Sequence, residues 1–117
     1  MLPKEIRKSL FDIRDSIDAI DAALLEVIGP RCDFSAYMKK RFLRRSVERE
    51  LEIIGEAMNR ILKIDTAFEV SNARKIVDLR NRVIHAYDSI NDGIIWGIVI
   101  NHLPPLKAEV QRLLDEQ

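Results

Sequence analysis

Seven apolar residues near the start of the chain, Ile6, Leu10, Ile13, Ile17, Ile20, Leu24 and Val27, step along it by alternating fours and threes. That spacing returns every one of them to the same side of an α-helix, and a stripe sustained over so many turns marks a long helix lying beside others. The pattern predicts a helix over residues 4–28, with Pro3 suited to its first turn and Gly29-Pro30 ending it. Such a stripe must be covered. The chain supplies a match in Leu43, Val47, Leu51, Ile54, Met58 and Ile61, which repeat the four-three spacing and predict a second helix over residues 37–62. Gly55 lies inside that helix, where glycine weakens the backbone, and is expected to permit a close approach between helices.

The remaining segments fit the same architecture. Residues 33–36 read as a turn, with Asp33 or Ser35 as the N-cap of the second helix. Residues 63–70 form a short connection, and Ser71 or Asn72 can cap a third helix reaching about residue 86. Loop chemistry, Asp88-Ser89-Ile90-Asn91-Asp92-Gly93, leads into a fourth helix over residues 92–103. That helix is apolar nearly all round (Ile94, Ile95, Trp96, Ile98, Val99 and Ile100), so it belongs in the bundle centre or in a subunit interface. Pro104-Pro105 breaks or kinks it, and Leu106, Val110, Leu113 and Leu114 mark a last helical segment. No strand alternation competes. The fold expected is all-α, an up-and-down bundle of four to five helices, in a single domain over residues 1–117.

Composition narrows function by exclusion. Lys+Arg and Asp+Glu both number 19, so the chain lacks the excess positive charge of a nonspecific nucleic-acid coat. A local patch remains open: Lys39, Lys40, Arg41, Arg44, Arg45 and Arg49 crowd the start of the second helix. They form either a solvated face balanced by acids such as Glu48 and Glu52, or a track for RNA phosphates or an acidic partner. Asp12, Asp15, Asp18 and Asp21 step by threes along the first helix. With no His or Glu cluster to complete a metal site, a solvated acidic face is the simpler reading. Cys32 stands alone, which excludes an intrachain disulfide and fits a reducing cytoplasm. The charged, amphipathic start does not read as a signal peptide, and the longest apolar run, residues 93–100, is too short to span a bilayer. The expectation is a cytoplasmic protein with no membrane attachment.

Chemistry concentrates in residues 79–87, Leu-Arg-Asn-Arg-Val-Ile-His-Ala-Tyr. On a helix, Ala73, Ile76, Val77, Val83, Ile84 and Tyr87 share a stripe, and Arg80 falls near its middle. A guanidinium keeps its charge and cannot be buried unpaired at acceptable cost. Arg80 therefore faces a carboxylate such as Glu56, a water-filled cleft, a partner chain or an anionic ligand. Asn81 and His85 lie one turn apart and share a face; Arg80 and Tyr87, two turns apart, share another. Arg80 and His85 point about 140° apart on a straight helix, so a single copy does not easily bring them together. His102, beside the prolines, and Trp96, among apolar neighbours, read as structural.

Arg80-Asn81-x-x-x-His85 resembles the signature of the HEPN superfamily of all-helical ribonucleases and toxins, and Arg80-x4-His85-x-Tyr87 resembles its HepT-like branch. Ile53-Ile54-Gly55-Glu56-Ala57 and Ile95-Trp96, followed by Asn101-His102-Leu103-Pro104-Pro105-Leu106, extend the likeness over nearly the whole chain. The resemblance implies a homodimer in which two motifs line one cleft. It implies a metal-independent endoribonuclease without cofactor, with Arg80 and His85 catalytic and Asn81 supporting. It further implies the toxin of a type VII toxin–antitoxin pair, neutralised when a minimal nucleotidyltransferase antitoxin transfers AMP to Tyr87. The alternative within the same likeness is a non-catalytic module that binds substrate or nucleotide for that nucleotidyltransferase.

Overall fold

The structure is a computed structural model that describes residues 2–70, 75–78, 81 and 92–116. Among these residues the regular structure is helical throughout. Helix α1 spans Lys4–Val27, α2 Phe34–Met38, α3 Arg41–Ile64, α4 Asp92–Asn101 and α5 Leu103–Asp115. The expected all-α bundle is what the chain forms. Most of the expected third helix lies outside the described residues, where 75–78 and 81 are helical.

The two long stripes meet as their spacing requires. Ile6, Leu10, Ile13, Ile17, Ile20 and Leu24 of α1 pack against Leu43, Val47, Leu51, Ile54, Met58 and Ile61 of α3, and all are buried, whereas Val27, the seventh position of the first stripe, is 45% exposed at the last residue of α1. The pair is antiparallel: Arg60 near the end of α3 donates from Nε to Ser9 Oγ at 3.3 Å and pairs with Asp12 at 3.2 Å near the start of α1. Helix α5 closes the other side of α1. Leu106 and Val110 are fully buried there, while Lys107 ties α5 to Asp18 at 2.7 Å and Asp21 at 3.7 Å. The acidic row on α1 is thus taken up by cations: Asp12 also meets Lys8 at 3.1 Å, and Asp15 meets Arg14 at 3.3 Å.

Chain punctuation obeys residue chemistry. Gly29 ends α1 with φ 96, a left-handed conformation that side chains resist, while its N–H donates to the Leu24 carbonyl at 3.2 Å. Asp33 caps α2, accepting from the Ala36 N–H at 2.7 Å. The break falls at His102, two residues before Pro104, and the prolines do not themselves interrupt a helix. Helix α4 ends at Asn101, His102 turns the chain, and Pro104 and Pro105 sit in the first turn of α5. There their missing N–H groups leave no bond unmade.

The expected continuous second helix is instead two. Residues 34–38 form a separate turn, and the helix restarts at Arg41 after Lys39 and Lys40. Tyr37 lies in the short helix before the break. It is fully buried, with its ring 5.0 Å from that of Trp96. The Arg44 guanidinium donates to the Met38 carbonyl and closes the end of α2.

The Tyr37 hydroxyl has no hydrogen-bond partner among the described residues. An unsatisfied buried donor costs about 1–3 kcal/mol. Tyr37→Phe is therefore expected to stabilise the fold by about 1 kcal/mol, readable as a rise in urea midpoint at constant slope.

Candidate functional site

Residues 75–78 orient the segment that leads into the polar motif. Ile76 is buried and Val77 is half-buried against the core, while Lys75 and Asp78 face outward. Ile76 and Val77 of the expected third-helix stripe therefore do point inward. Asn81 is helical and exposed, five residues after Ile76 and so on the opposite side. Arg80, His85 and Tyr87 lie outside the described residues, and so does the Asn81–His85 contact expected from their spacing.

The basic cluster at the joint between α2 and α3 lies wholly within the described residues, and it divides in two. Arg44 is spent on the Met38 carbonyl. Arg45 lies 3.8 Å from Glu48, and Arg49 lies 3.2 Å from Glu52 and 4.0 Å from Glu56. These arginines are 61% and 62% exposed, so their pairs are solvent-screened and worth little. Lys39, Lys40 and Arg41 are exposed and enter no ion pair among the described residues. The cluster thus divides: its later part is a locally balanced surface, and its first part carries charge with no ion pair among the described residues.

Behind this face lies a buried polar group. Glu48 sits 9% exposed on α3. Burial pushes its carboxyl above the ordinary carboxylate range; the Arg45 guanidinium opposes that shift, and Asp92 adds to it. Burial also raises the Tyr37 phenol, with Asp92 and Glu48 contributing further. Tyr37 of α2, Glu48 two turns into α3 and Asp92 at the start of α4 are thus near enough to influence one another's charge.

A carboxyl raised in the folded state binds its proton more tightly there than in the unfolded chain. Its contribution to stability is full below the ordinary carboxylate value and is lost as pH climbs through the raised one. Glu48→Gln should flatten that decline: the variant is expected to match wild type at acid pH and to melt higher at neutral pH. Parallel melting curves for the two proteins across that window would overturn the assignment.

Elsewhere, an open cleft of about 530 Å³ lies between the start of α1 and the end of α3, lined by Lys8, Ser9, Arg60 and Lys63 among others. Arg60 and Lys8 are already turned to Asp12. Burial and the neighbouring Asp33 push the Cys32 thiol up, which disfavours a thiolate nucleophile. No helix among the described residues is long and apolar enough to cross a membrane.

Sequence reasoning missed three residues of this region. Tyr37 and Glu48 were hidden because their burial depends on the break at Lys39-Lys40. Phe42 is 89% exposed on the outer side of α3, in the midst of the cations. Its signal was available: it falls about 135° from the middle of the apolar stripe, far outside any core position.

A helical bundle of this length, carrying Arg-x4-His-x-Tyr in the stretch between α3 and the apolar α4, has the layout of an all-helical ribonuclease class. Residues 13–113 match the family model described as "Ribonuclease HepT-like". The chain belongs to the HepT-like ribonuclease family. It is similar to a Methanocaldococcus jannaschii protein named "Putative RNase MJ1380", with 30% identity over 95% of this chain and 98% of the relative. It is also similar to a Thermococcus cleftensis protein named "Probable ribonuclease HepT", with 30% identity over 89% of this chain and 91% of the relative. No solved structure matches it.

Proposed function

We propose that this protein is a metal-independent endoribonuclease that works as a homodimer, with Arg80 and His85 from two copies of the motif lining one cleft. The observation that carries this reading is the family match, because residues 13–113 enclose the whole Arg80-x4-His85-x-Tyr87 motif. Two features support the dimer. Arg80 and His85 diverge by about 140° on one helix, which a second copy overcomes. Helix α4 also buries Ile95, Ile98 and Val99 while leaving Ile94 and Ile100 42% and 47% exposed, so an apolar face remains on the surface of one chain.

The chemistry balances without a metal. His85 of one copy takes the proton from an RNA 2′-hydroxyl, and that oxygen attacks the adjacent phosphorus. The bond from phosphorus to the 5′-oxygen breaks, and His85 of the second copy protonates the leaving oxygen. The products are a 2′,3′-cyclic phosphate and a 5′-hydroxyl. Imidazole titrates near about pH 6.5 and suits both transfers at neutral pH. Arg80 holds the phosphate through paired N–H donors and offsets the charge that builds on it. Asn81 orients the imidazole.

In this reading the protein is the toxin of a pair whose antitoxin is a minimal nucleotidyltransferase. AMP carried to the Tyr87 oxygen adds bulk and negative charge on Arg80's side of the helix and competes for its guanidinium. The test is RNA cleavage in EDTA by wild type, His85→Ala and Tyr87→Phe, with unmodified Tyr87 confirmed by mass. Wild type and Tyr87→Phe should cleave and a folded His85→Ala should not. Silence from all three on several RNAs would sink the reading and leave a nucleotidyltransferase-binding module in its place.

A further inference from the structure

Phe42 is the most exposed large apolar residue among the described residues, at 89%. It is one residue into α3, so its position is set by a regular helix and not by a wandering loop. It enters no ring contact among the described residues: the aromatic contacts of this region run through Phe34, Tyr37 and Trp96 instead. Its surroundings are cationic. Lys39, Lys40 and Arg41 precede it directly and enter no ion pair among the described residues. Arg45 comes one turn later, and Arg49 lies almost directly below Phe42 two turns on, both more than half exposed. The first turn of α3 holds no acidic residue to balance this charge. An isolated protein gains nothing from such an arrangement, because the cations repel one another and the ring meets only water.

A flat aromatic face surrounded by long cationic side chains is what a single-stranded nucleic acid recognises. Bases stack on the ring irrespective of sequence, while Lys and Arg take the phosphates on either side. An acidic protein surface would satisfy the cations but would not need a solitary ring standing clear of them. A second copy of this chain would cover the ring but would bring a second set of the same cations against the first.

We propose that Phe42, flanked by Lys39, Lys40 and Arg41, is a landing platform for a single-stranded RNA segment, on which Phe42 stacks one base. The proposal rests on the ribonuclease reading for the identity of its ligand, and it assigns the protein a substrate contact away from the reacting groups. It also selects single-stranded RNA over duplex, since a paired base offers no free face to Phe42.

The test separates binding from cleavage. A fluorescein-labelled 2′-O-methyl RNA of about 12 nucleotides, long enough to cover one such platform, cannot undergo 2′-hydroxyl attack, so wild-type protein can be titrated with it directly by anisotropy. Phe42→Ala is expected to weaken binding about tenfold, and Phe42→Trp to restore it. Lys40→Ala and Arg41→Ala should each lower the slope of log affinity against log salt by about 0.7. Because these positions are exposed, the variants should keep the wild-type melting temperature. The same RNA annealed to its complement should bind without sensitivity to Phe42. Unchanged affinity in Phe42→Ala overturns the proposal. So does a Phe42→Ala protein whose affinity falls only because sedimentation shows that it no longer self-associates. Phe42-dependent binding by a protein that fails to cleave RNA in EDTA would refute the proposed reaction and leave the platform standing.

Discussion

His85→Ala protein is expected to cleave RNA about 10²–10⁴-fold more slowly than wild type at neutral pH, the usual worth of a positioned acid–base group. In the proposed mechanism the loss appears in kcat, because there the imidazole acts on protons that move only in the transition state and Arg80 holds the phosphate. Arg80→Lys is the informative companion. It keeps the charge but loses the paired donors that fit a phosphate, so a substantial loss there would separate geometry from charge. If Arg80 did no more than pair with a carboxylate and hold the bundle together, Arg80→Lys would lower the melting temperature and leave the rate of the folded protein intact. A near-wild-type rate in His85→Ala, with folding confirmed, would remove His85 from the mechanism.

The largest expected effect on stability comes from the α1 stripe. Ile13 is fully buried at the middle of the α1–α3 seam. Ile13→Ala removes three carbons from a packed site and should cost about 2–5 kcal/mol, a large fraction of the about 5–15 kcal/mol that holds a typical domain together. Leu25 lies on the same helix but is 62% exposed, and Leu25→Ala should change stability by no more than about 0.5 kcal/mol. Urea denaturation of the two variants checks the contrast. Equal losses would mean that the stripe does not define the core.

The residues that carry these predictions differ in how directly sequence spacing reveals them. Four-three repeats located α1 and α3 to within a few residues and named their buried faces, because burial along a long helix is periodic. The α2–α3 break was not visible in that way. It accompanies the packing of Tyr37 on Trp96, 59 positions further along, a contact that no local pattern encodes. The same blind spot concealed Glu48, whose place on the α3 wheel borders the stripe but whose burial needs the α2 turn laid across it. Helix α4 is a different case. Its composition suggested the bundle centre or a subunit interface; Ile95, Ile98 and Val99 are buried while Ile94 and Ile100 are open in the single chain, since hydropathy reports what wants cover and not whether the same chain supplies it. At the motif, residue types and their order suggested phosphate chemistry and a family. The basic cluster was found as a cluster, but only the structure sorted Arg44, Arg45 and Arg49, which are engaged locally, from Lys39, Lys40 and Arg41.

The ring stack that anchors α2 also gives the protein an optical signal. Trp96 is the chain's single tryptophan, and it lies 5.0 Å from Tyr37 and 6.1 Å from Phe34, half-buried where α2 meets α4. Its emission reports on that joint alone, whereas far-ultraviolet dichroism is dominated by the long α1 and α3. Following both through a slow denaturant ramp distinguishes a joint that loosens first from one that gives way with the rest. The intrinsic fluorescence of this protein is therefore a local strain gauge for the joint of α2 and α4.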